Sequence, residues 1–321
     1  MYKRSILITG IGGDIGQSII KCLKATNYEI FLVGCDIDPY ASGRKNITKF
    51  IIAPEATKIE EYNKFIRGAI ENYAIKYIYP STEQEIIFFD KYRDYFDKKD
   101  IKIFINSSSI LNNFLDKYKT VNFLREKGIP CPDTYLVKEY KNQLNYPFIM
   151  KSRKGSGGKK VIKINNSDEF NFYKKRINDA ILQEYLGDDN EEYTTGIFSD
   201  GNNIFSITFK RKLGQGGWSK IVELVIDKEV SNLAEKIARY SNLVGSINIQ
   251  TRRTSKGFIV FEINPRFSST VYFRYYFGFQ DVKWWLDLIE GRKIEFKLKY
   301  KRGIGVRAFT EVFFNLSPKG R

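Results

Sequence analysis

Short apolar runs alternate with stretches of helical period through the first third of the chain. The pattern predicts strands at Ser5–Thr9, Ile30–Cys35, Tyr77–Tyr79 and Ile101–Ile105, with helices at Asp14–Ala25, Ile59–Tyr73 and Glu83–Tyr95 between them. Apolar positions two apart suit a strand and those three or four apart a helix face. Strands alternating with helices in this way predict an open parallel sheet with covering helices. Over Asn106–Asn113 the pattern dissolves into Ser and Asn, which marks a first boundary. A helix at Asp116–Lys127 follows, closed by Gly128 and Pro130. From Thr134 the chain becomes strand-rich, with strands expected at Pro147–Ser152, Lys160–Ile164, Ala180–Tyr185, Tyr193–Phe198 and Ile204–Arg211. Helices near Ser167–Ile177 and Asp227–Leu243 interrupt them, and a hairpin, an aromatic segment (Val271–Leu288) and a short strand near Gly305–Phe309 complete the chain. The expected fold is α/β followed by α+β.

Composition narrows the chemistry more than the fold. The chain of 321 residues contains no histidine. That excludes Ser-His-Asp and Cys-His catalysis and every histidine-ligated metal site. Carboxylates, amides, Lys, Arg, Tyr or a bound cation must carry any reaction. Cys22, Cys35 and Cys131 are widely spaced and odd in number, which fits a reduced, cytoplasmic protein without disulfides. No uninterrupted apolar stretch is long enough to predict a membrane span. The net charge of +16 is spread among Asn, Ile and Tyr without an RNA-binding motif, so solvated lysine-rich faces explain it best. An anionic substrate or surface ranks second, and a nucleic-acid partner is not expected.

The first glycine cluster, Thr9-Gly-Ile-Gly-Gly-Asp-Ile-Gly16, lies between a predicted strand and helix. Glycines there let the backbone approach a pyrophosphate at a helix N-terminus, and Asp36 lies about twenty residues on, where a ribose-binding acid belongs. This spacing resembles NAD-dependent epimerases and dehydrogenases of the extended short-chain type. Those enzymes also need a Tyr-x-x-x-Lys pair. Tyr95 and Lys99 match it only in a polar stretch too early in the chain. Close strand–helix packing is the preferred reading of these glycines.

The densest chemistry lies at Phe261-Glu262-Ile263-Asn264-Pro265-Arg266, on the return strand of the predicted hairpin. A three-residue loop, Ser255-Lys256-Gly257, would pair Thr254 with Phe258. Counting back places Gln250 opposite Glu262 and Asn248 opposite Asn264. Residues two apart share a strand face. Gln250, Glu262 and Asn264 would then present one carboxylate and two amide oxygens, hard ligands suited to Mg²⁺. An ordinary solvated strand face explains Glu262 and Asn264 singly, but not the Pro and Arg that follow. Arg266 is placed to neutralise a transferring phosphoryl group.

These residues resemble the ATP-grasp superfamily, in particular the ATP-grasp domains of carbamoyl phosphate synthetase large subunits and stand-alone carboxylate–amine ligases related to them. The resemblance covers nearly the whole chain. It implies a Rossmann-like pre-ATP-grasp α/β domain (1–110), an ATP-grasp N-terminal subdomain with a glycine loop (111–190) and a C-terminal subdomain with the metal site (191–321). Lys117, opening a helix, and Lys151, ending a strand, resemble the lysines that reach ATP phosphates. Gly155, Ser156, Gly157 and Gly158 resemble the loop that closes over them. Glu184, Tyr185 and Leu186 resemble the adenine hinge, and Glu192 the ribose-binding acid, with Glu191 adjacent. Lys210, Arg211 and Lys212 stand where a basic phosphate contact is kept, Arg211 being taken with Lys151 and Arg266 as catalytic. The implied cofactors are ATP and Mg²⁺, two ions, with Mn²⁺ able to substitute.

No second synthetase half accompanies these motifs, so carbamoyl phosphate synthesis itself is not expected. The implied activity is ATP-dependent ligation of a small carboxylate to an amine or thiol through an acylphosphate, with a homodimer as the candidate assembly. Alternatives are ATP-grasp phosphotransfer without ligation, a nucleotide-binding protein without turnover and, behind these, the NAD-dependent enzyme. Arg274, one helical turn below Thr270, and Arg307 are candidate clamps for a substrate carboxylate. The competing reading puts the surrounding rings in a core and lets both arginines reach solvent.

Overall fold

The computed structural model describes residues 4–155, 161–177, 179–187, 189–296, 299, 302–308 and 310–314. The chain divides into two compact units, Met1–Phe104 with the segment from Val306 onward, and Ile105–Gly305.

In the first unit β1 (Arg4–Thr9), α1 (Asp14–Lys24), β2 (Ile30–Asp36), β3 (Lys49–Ile52), α2 (Ile59–Tyr73), β4 (Tyr77–Tyr79), α3 (Glu83–Lys91), α4 (Arg93–Lys98) and β5 (Lys102–Ile103) follow in order. The strands form a five-stranded sheet in the order β3-β2-β1-β4-β5, and every pairing is parallel. β1 is central, and its three consecutive apolar residues Ile6, Leu7 and Ile8 are fully buried because both faces of the sheet are covered. The expected helix Glu83–Tyr95 is two helices instead, parted at Tyr92.

The second unit contains α5 (Ser108–Phe114), α6 (Lys117–Glu126), β6 (Thr134–Leu136), β7 (Phe148–Ser152), β8 (Val161–Ile164), α7 (Ser167–Lys174) and β9 (Ala180–Glu184). β10 (Glu192–Asp200), β11 (Ile204–Leu213), β12 (Ser219–Val225), α8 (Lys228–Tyr240), β13 (Val244–Thr254), β14 (Gly257–Asn264), α9 (Val271–Tyr276) and α10 (Asp281–Ile289) follow, and β15 (Ile304–Val306) begins in this unit. The strands make a four-stranded sheet, β6-β9-β7-β8, and a six-stranded sheet, β14-β13-β10-β11-β12-β15. α8 lays Val230, Leu233, Ala234 and Ile237 against Ile197, Ile247, Ile249 and Ile263 of the larger sheet. Phe148, Met150, Ile164, Phe170 and Leu182 form the core of the smaller one.

The Ser/Asn-rich stretch that marks the expected boundary contains helix α5, capped by Ser107, whose hydroxyl accepts from the Ile110 amide. Its apolar positions Ile110, Leu111 and Phe114 are buried. β12 has no counterpart among the expected strands. It sets exposed Glu223 between buried Val222 and Leu224, a pattern obscured by the glycine-rich stretch before it.

Candidate active site

The site grows from the hairpin of β13 and β14. Asn248 lies opposite Asn264, Ile249 opposite Ile263 and Gln250 opposite Glu262. The expected register at these positions is the observed one, although its derivation was not. At the turn Thr254 pairs with Gly257, one residue short of the expected Phe258, so the loop is the pair Ser255-Lys256. A bulge between Gln250 and Thr251 takes up Phe261 as the extra residue and restores the count. A bulged residue leaves the ladder and turns its carbonyl aside. Here the Phe261 carbonyl accepts from Lys151 Nζ at 3.4 Å. The irregularity hidden from sequence counting is thus what meets the lysine.

Lys151 sits on β7 and is buried. Burial pushes its amine down to about 8, with Lys117 adding to the shift and Glu262 and Glu192 opposing it. The folded value lies below the ordinary 10.5, so between the two values the unfolded chain binds more protons. Stability gained at this residue therefore rises with pH through that window, and the charged amine is held at a cost below it. An approaching polyanion would remove the cost. Glu262 is shifted the opposite way: its burial, which alone would raise the carboxyl, is outweighed by Lys151, Lys117, the Asn264 amide and Arg211, which together hold it below its usual range. Asn264 Nδ2 donates to Glu262 Oε1 at 3.1 Å.

Lys117 is the first residue of α6 and reaches Gly155, its Nζ donating to the Gly155 carbonyl at 2.5 Å. Asp116 makes that contact possible. Its carboxylate caps α6 by accepting from the Tyr118 and Lys119 amides and accepts twice from Arg153 Nε at 2.9 Å. The Lys117 amide donates to the Arg153 carbonyl at 3.0 Å. One aspartate thus fastens the end of β7 to the start of α6. Ser156, Gly157 and Gly158 lie outside the described residues.

At the other end of β9, Glu184 is exposed. Its amide donates to the Asp133 carbonyl, and its Oε2 accepts from the Asp133 amide at 3.3 Å. Tyr185 lies beneath Lys163, with Nζ 4.0 Å from the ring centre, and Leu186 is half-buried. Of the three basic candidates on β11, Arg211 faces the site. Its Nε and Nη2 donate to Glu192 Oε1 at 3.0 and 2.6 Å. Lys210 pairs with Glu191, which also accepts from the Tyr193 hydroxyl, and Lys212 is exposed. Arg266, just past β14, donates to the Phe267 carbonyl at 2.9 Å.

Sequence reasoning overlooked three residues. Arg252 donates to Glu192 Oε2 at 2.7 Å and to the Gly187 carbonyl at 2.8 Å. Its spacing from Gln250 could have revealed it. Asn106, taken only as part of a boundary, donates to the Ser246 and Pro265 carbonyls and fastens the turn before Arg266. Asp281 could not be found from spacing. It pairs with Arg274 at 3.2 Å in full burial, and the guanidinium lies on Gly196, where a Cβ would stand 2.0 Å from Nη1. Neither burial of Arg274 nor that pairing matches the expectation that it reaches solvent. Tyr272 and Tyr276 beside it are exposed, so the aromatic segment is only partly a core. Arg307 belongs to the first unit, 3.9 Å from Asp14 at the start of α1.

The glycine turn of the first unit is closed by its own neighbours. The Ile11 amide donates to the Cys35 carbonyl and the Gly13 amide to the Gly10 carbonyl. The Gly12 amide donates to Asp36 Oδ2 at 2.7 Å. A Cβ on Gly16 would stand 2.4 Å from the Gly10 carbonyl oxygen. The amides and the acid that a dinucleotide would need are engaged with one another, and close packing accounts for the glycine.

Four cations, Lys117, Lys151, Arg211 and Arg252, thus stand against the two carboxylates Glu192 and Glu262, with Arg266 just past β14 in the same unit. This composition suits a polyanion. Among the described residues no three His, Cys, Asp or Glu side chains cluster as a metal site. A cation at Glu262 would therefore need amide and substrate oxygens, as Mg²⁺ carried by a nucleotide does. Residues 114–270 match the model of the ATP-grasp domain family. The chain carries an ATP-grasp domain. The match spans α6, Lys117, Lys151, the β13–β14 hairpin and Arg266. The chain is 32% identical over 93 residues to a coenzyme gamma-F420-2:alpha-L-glutamate ligase of Methanococcus maripaludis, covering 26% of this chain and 33% of that protein. It is 24% identical over 193 residues to the alpha-aminoadipate–LysW ligase LysX of Saccharolobus solfataricus, covering 52% of this chain and 68% of the relative. The chain thus spans about a third of the first relative's length and about two thirds of the second's. In fold it resembles biotin carboxylase from Campylobacter jejuni, with a TM-score of 0.72, 18% identity, and 95% of this chain and 75% of that one covered. The parallel first sheet and the antiparallel sheets around the ATP-grasp domain agree with that likeness. No described helix is long and apolar enough to cross a membrane.

Proposed function

We propose that this chain is an ATP- and Mg²⁺-dependent ligase that joins a small carboxylate to an amine, or to a thiol, through an acylphosphate. The observation that carries the reading is the pairing of Gln250 with Glu262, with Asn264 on the same face, beside buried Lys151. Gln250, Glu262 and Asn264 would hold Mg²⁺, two ions, with Mn²⁺ able to substitute. Bound there, the metal neutralises phosphate charge. Lys117 and Lys151 bind the phosphates, with the loop that begins at Gly155 and includes Ser156, Gly157 and Gly158 covering them. Glu184, Tyr185 and Leu186 receive the adenine. A substrate carboxylate oxygen attacks the γ-phosphorus, the bond to the β–γ bridging oxygen breaks, and ADP leaves. The amine then attacks the acyl carbon, phosphate departs with the C–O bonding pair, and the amine proton passes to a carboxylate or water. Arg266 and Arg211 stabilise the charge that builds on the transferring group. No histidine is required at any step.

We read residues 1–110 as the Rossmann-like pre-ATP-grasp domain, 111–190 as the nucleotide subdomain and 191–321 as the metal subdomain. The surroundings of Arg274 support a framework role for it, and Arg307 remains the candidate for a substrate carboxylate. A cytoplasmic setting is supported by three cysteines that are widely spaced and odd in number, and a homodimer is the proposed assembly. Both sequence relatives are named as ligases that act on α-amino acids, so amino acids lead the substrate search. The test is ADP release over amino acids and sugar acids, offered singly and in pairs. Release that depends on a pair is expected. Release with one acceptor alone would make the protein a phosphotransferase, and none with any would make it a binding protein.

A further inference from the structure

The ladder between β13 and β14 ends where Asn248 faces Asn264. The next residue, Pro265, has no amide hydrogen with which to extend it. Two carbonyls, those of Ser246 on β13 and Pro265 beyond β14, converge there on one nitrogen. Asn106 Nδ2 donates to them at 2.8 and 2.9 Å. Asn106 is fully buried and lies between β5 and α5, immediately before the Ser107 cap. A primary amide brings two hydrogens on one uncharged nitrogen, so it joins two acceptors without placing a charge in the interior. The Pro265 carbonyl, the Arg266 nitrogen and the Arg266 Cα share one rigid peptide plane. Holding that carbonyl therefore sets the direction in which Arg266 leaves the backbone. The chain is held beyond the arginine as well. The Ser268 hydroxyl donates to Asn248 Oδ1 at 3.0 Å, and the Thr194 hydroxyl donates to the same oxygen at 3.0 Å. Thr194 and Asn248 are 0% exposed and Ser268 8%. Arg266, itself half-buried, is thus pinned one residue before and two residues after, each time to β13, the strand that carries Gln250.

We propose that Asn106 and Ser268 are positioning residues, which hold Arg266 in a fixed place relative to Gln250, Glu262 and Asn264 so that it meets the charge on the transferring phosphoryl group. The proposal rests on the ligase reading of this site and adds to it two side chains that act through the arginine. A guanidinium stabilises a transition state only as far as it is aimed before the charge develops. With both pins in place that aim is built into the fold. With one removed, the segment around Arg266 gains freedom that must be lost again at each turnover, which slows the chemical step and leaves ground-state binding of the nucleotide as it was.

The test removes each pin with and without the arginine. ADP release from saturating ATP–Mg²⁺ is measured in an equimolar mixture of the common amino acids with glucuronic and galacturonic acids. The variants are Asn106→Ala and Ser268→Ala, each alone and each combined with Arg266→Ala, and calorimetry gives the dissociation constant of ATP–Mg²⁺ for all of them. Alone, each change should lower turnover about 10–100-fold, as loss of an orienting partner does elsewhere, with the dissociation constant unchanged. Beside Arg266→Ala the same change should cost less than about twofold, because residues that act through one group are not additive. Loss by an equal factor in both backgrounds makes the two residues general scaffold and overturns the proposal. Unchanged turnover in the single variants overturns it too, as does weakening of ATP–Mg²⁺ in step with the rate. Should Asn106→Ala fail to fold, Ser268→Ala decides alone by the same criteria. No ADP release by the unaltered chain would withdraw the ligase reading and the proposal with it, whereas release combined with additive losses removes the proposal only.

Discussion

Glu262→Gln is expected to lower kcat by on the order of a thousandfold or more, the scale on which removing one preorganised charge-stabilising group acts, while leaving the fold intact. Gln has nearly the same shape, and its side-chain oxygen can still accept from Asn264 Nδ2, which now donates to Glu262 Oε1 at 3.1 Å. The change removes the one carboxylate of the proposed metal site and leaves only neutral amides at Gln250, Asn264 and position 262. It also removes a negative charge from a site rich in cations, so attraction for the triphosphate is not diminished. The loss should therefore appear in kcat and not as a simple rise in KM for ATP. Steady-state ADP release, compared with circular dichroism and urea midpoints of the same preparations, reads both parts. Near-normal turnover in Glu262→Gln would remove the metal assignment.

Arg274→Met is expected to destabilise the protein by about 3–5 kcal/mol, the usual cost of removing one partner of a buried pair. Arg274 and Asp281 are 0% and 1% exposed, and Asp281 also accepts from the Ser246 hydroxyl. Burial already raises the Asp281 carboxyl above its ordinary value, against the pull of Arg274. Without the arginine it rises further. A carboxyl raised in the folded state costs nothing below its unfolded value and progressively more as pH rises through the folded one. The destabilisation should therefore be larger at pH 8 than at pH 5, and urea denaturation at both values measures it. The alternative, Arg274 as a substrate clamp, predicts unchanged stability with a KM raised for one organic substrate.

Much of this architecture is legible in the pattern of residues because burial and period agree. β1 carries three consecutive apolar residues, Ile6, Leu7 and Ile8, since helices cover both faces of its sheet, and α8 shows its apolar stripe since one face meets the larger sheet. Gln250, Glu262 and Asn264 could be brought together by counting back from the turn. Their agreement with the structure came from two departures that cancel, a shorter turn and a bulge at Phe261, neither of which has a signature in residue type. Helix α5 was hidden because Ser and Asn favour caps and turns, whereas its helical state is decided by Ile110 and Phe114 meeting a core assembled from distant segments. The partners of Glu192 were hidden for a related reason. Cross-strand neighbours depend on which strands are adjacent, and β10 lies between β11 and β13 only once the whole sheet is formed.

The central claim is that the lysines and the metal hairpin form a site for ATP with Mg²⁺. Calorimetric titration near pH 8 with ATP–Mg²⁺ and with NAD⁺, in two buffers of different ionisation enthalpy, tests it most directly. Lys151, held at about 8 in the free protein, is expected to become fully charged beside the phosphates. ATP–Mg²⁺ should therefore bind with uptake of up to about half a proton, binding should weaken as pH rises above that value, and NAD⁺ should give no heat. Tight binding of NAD⁺ with no response to ATP–Mg²⁺ would contradict the account.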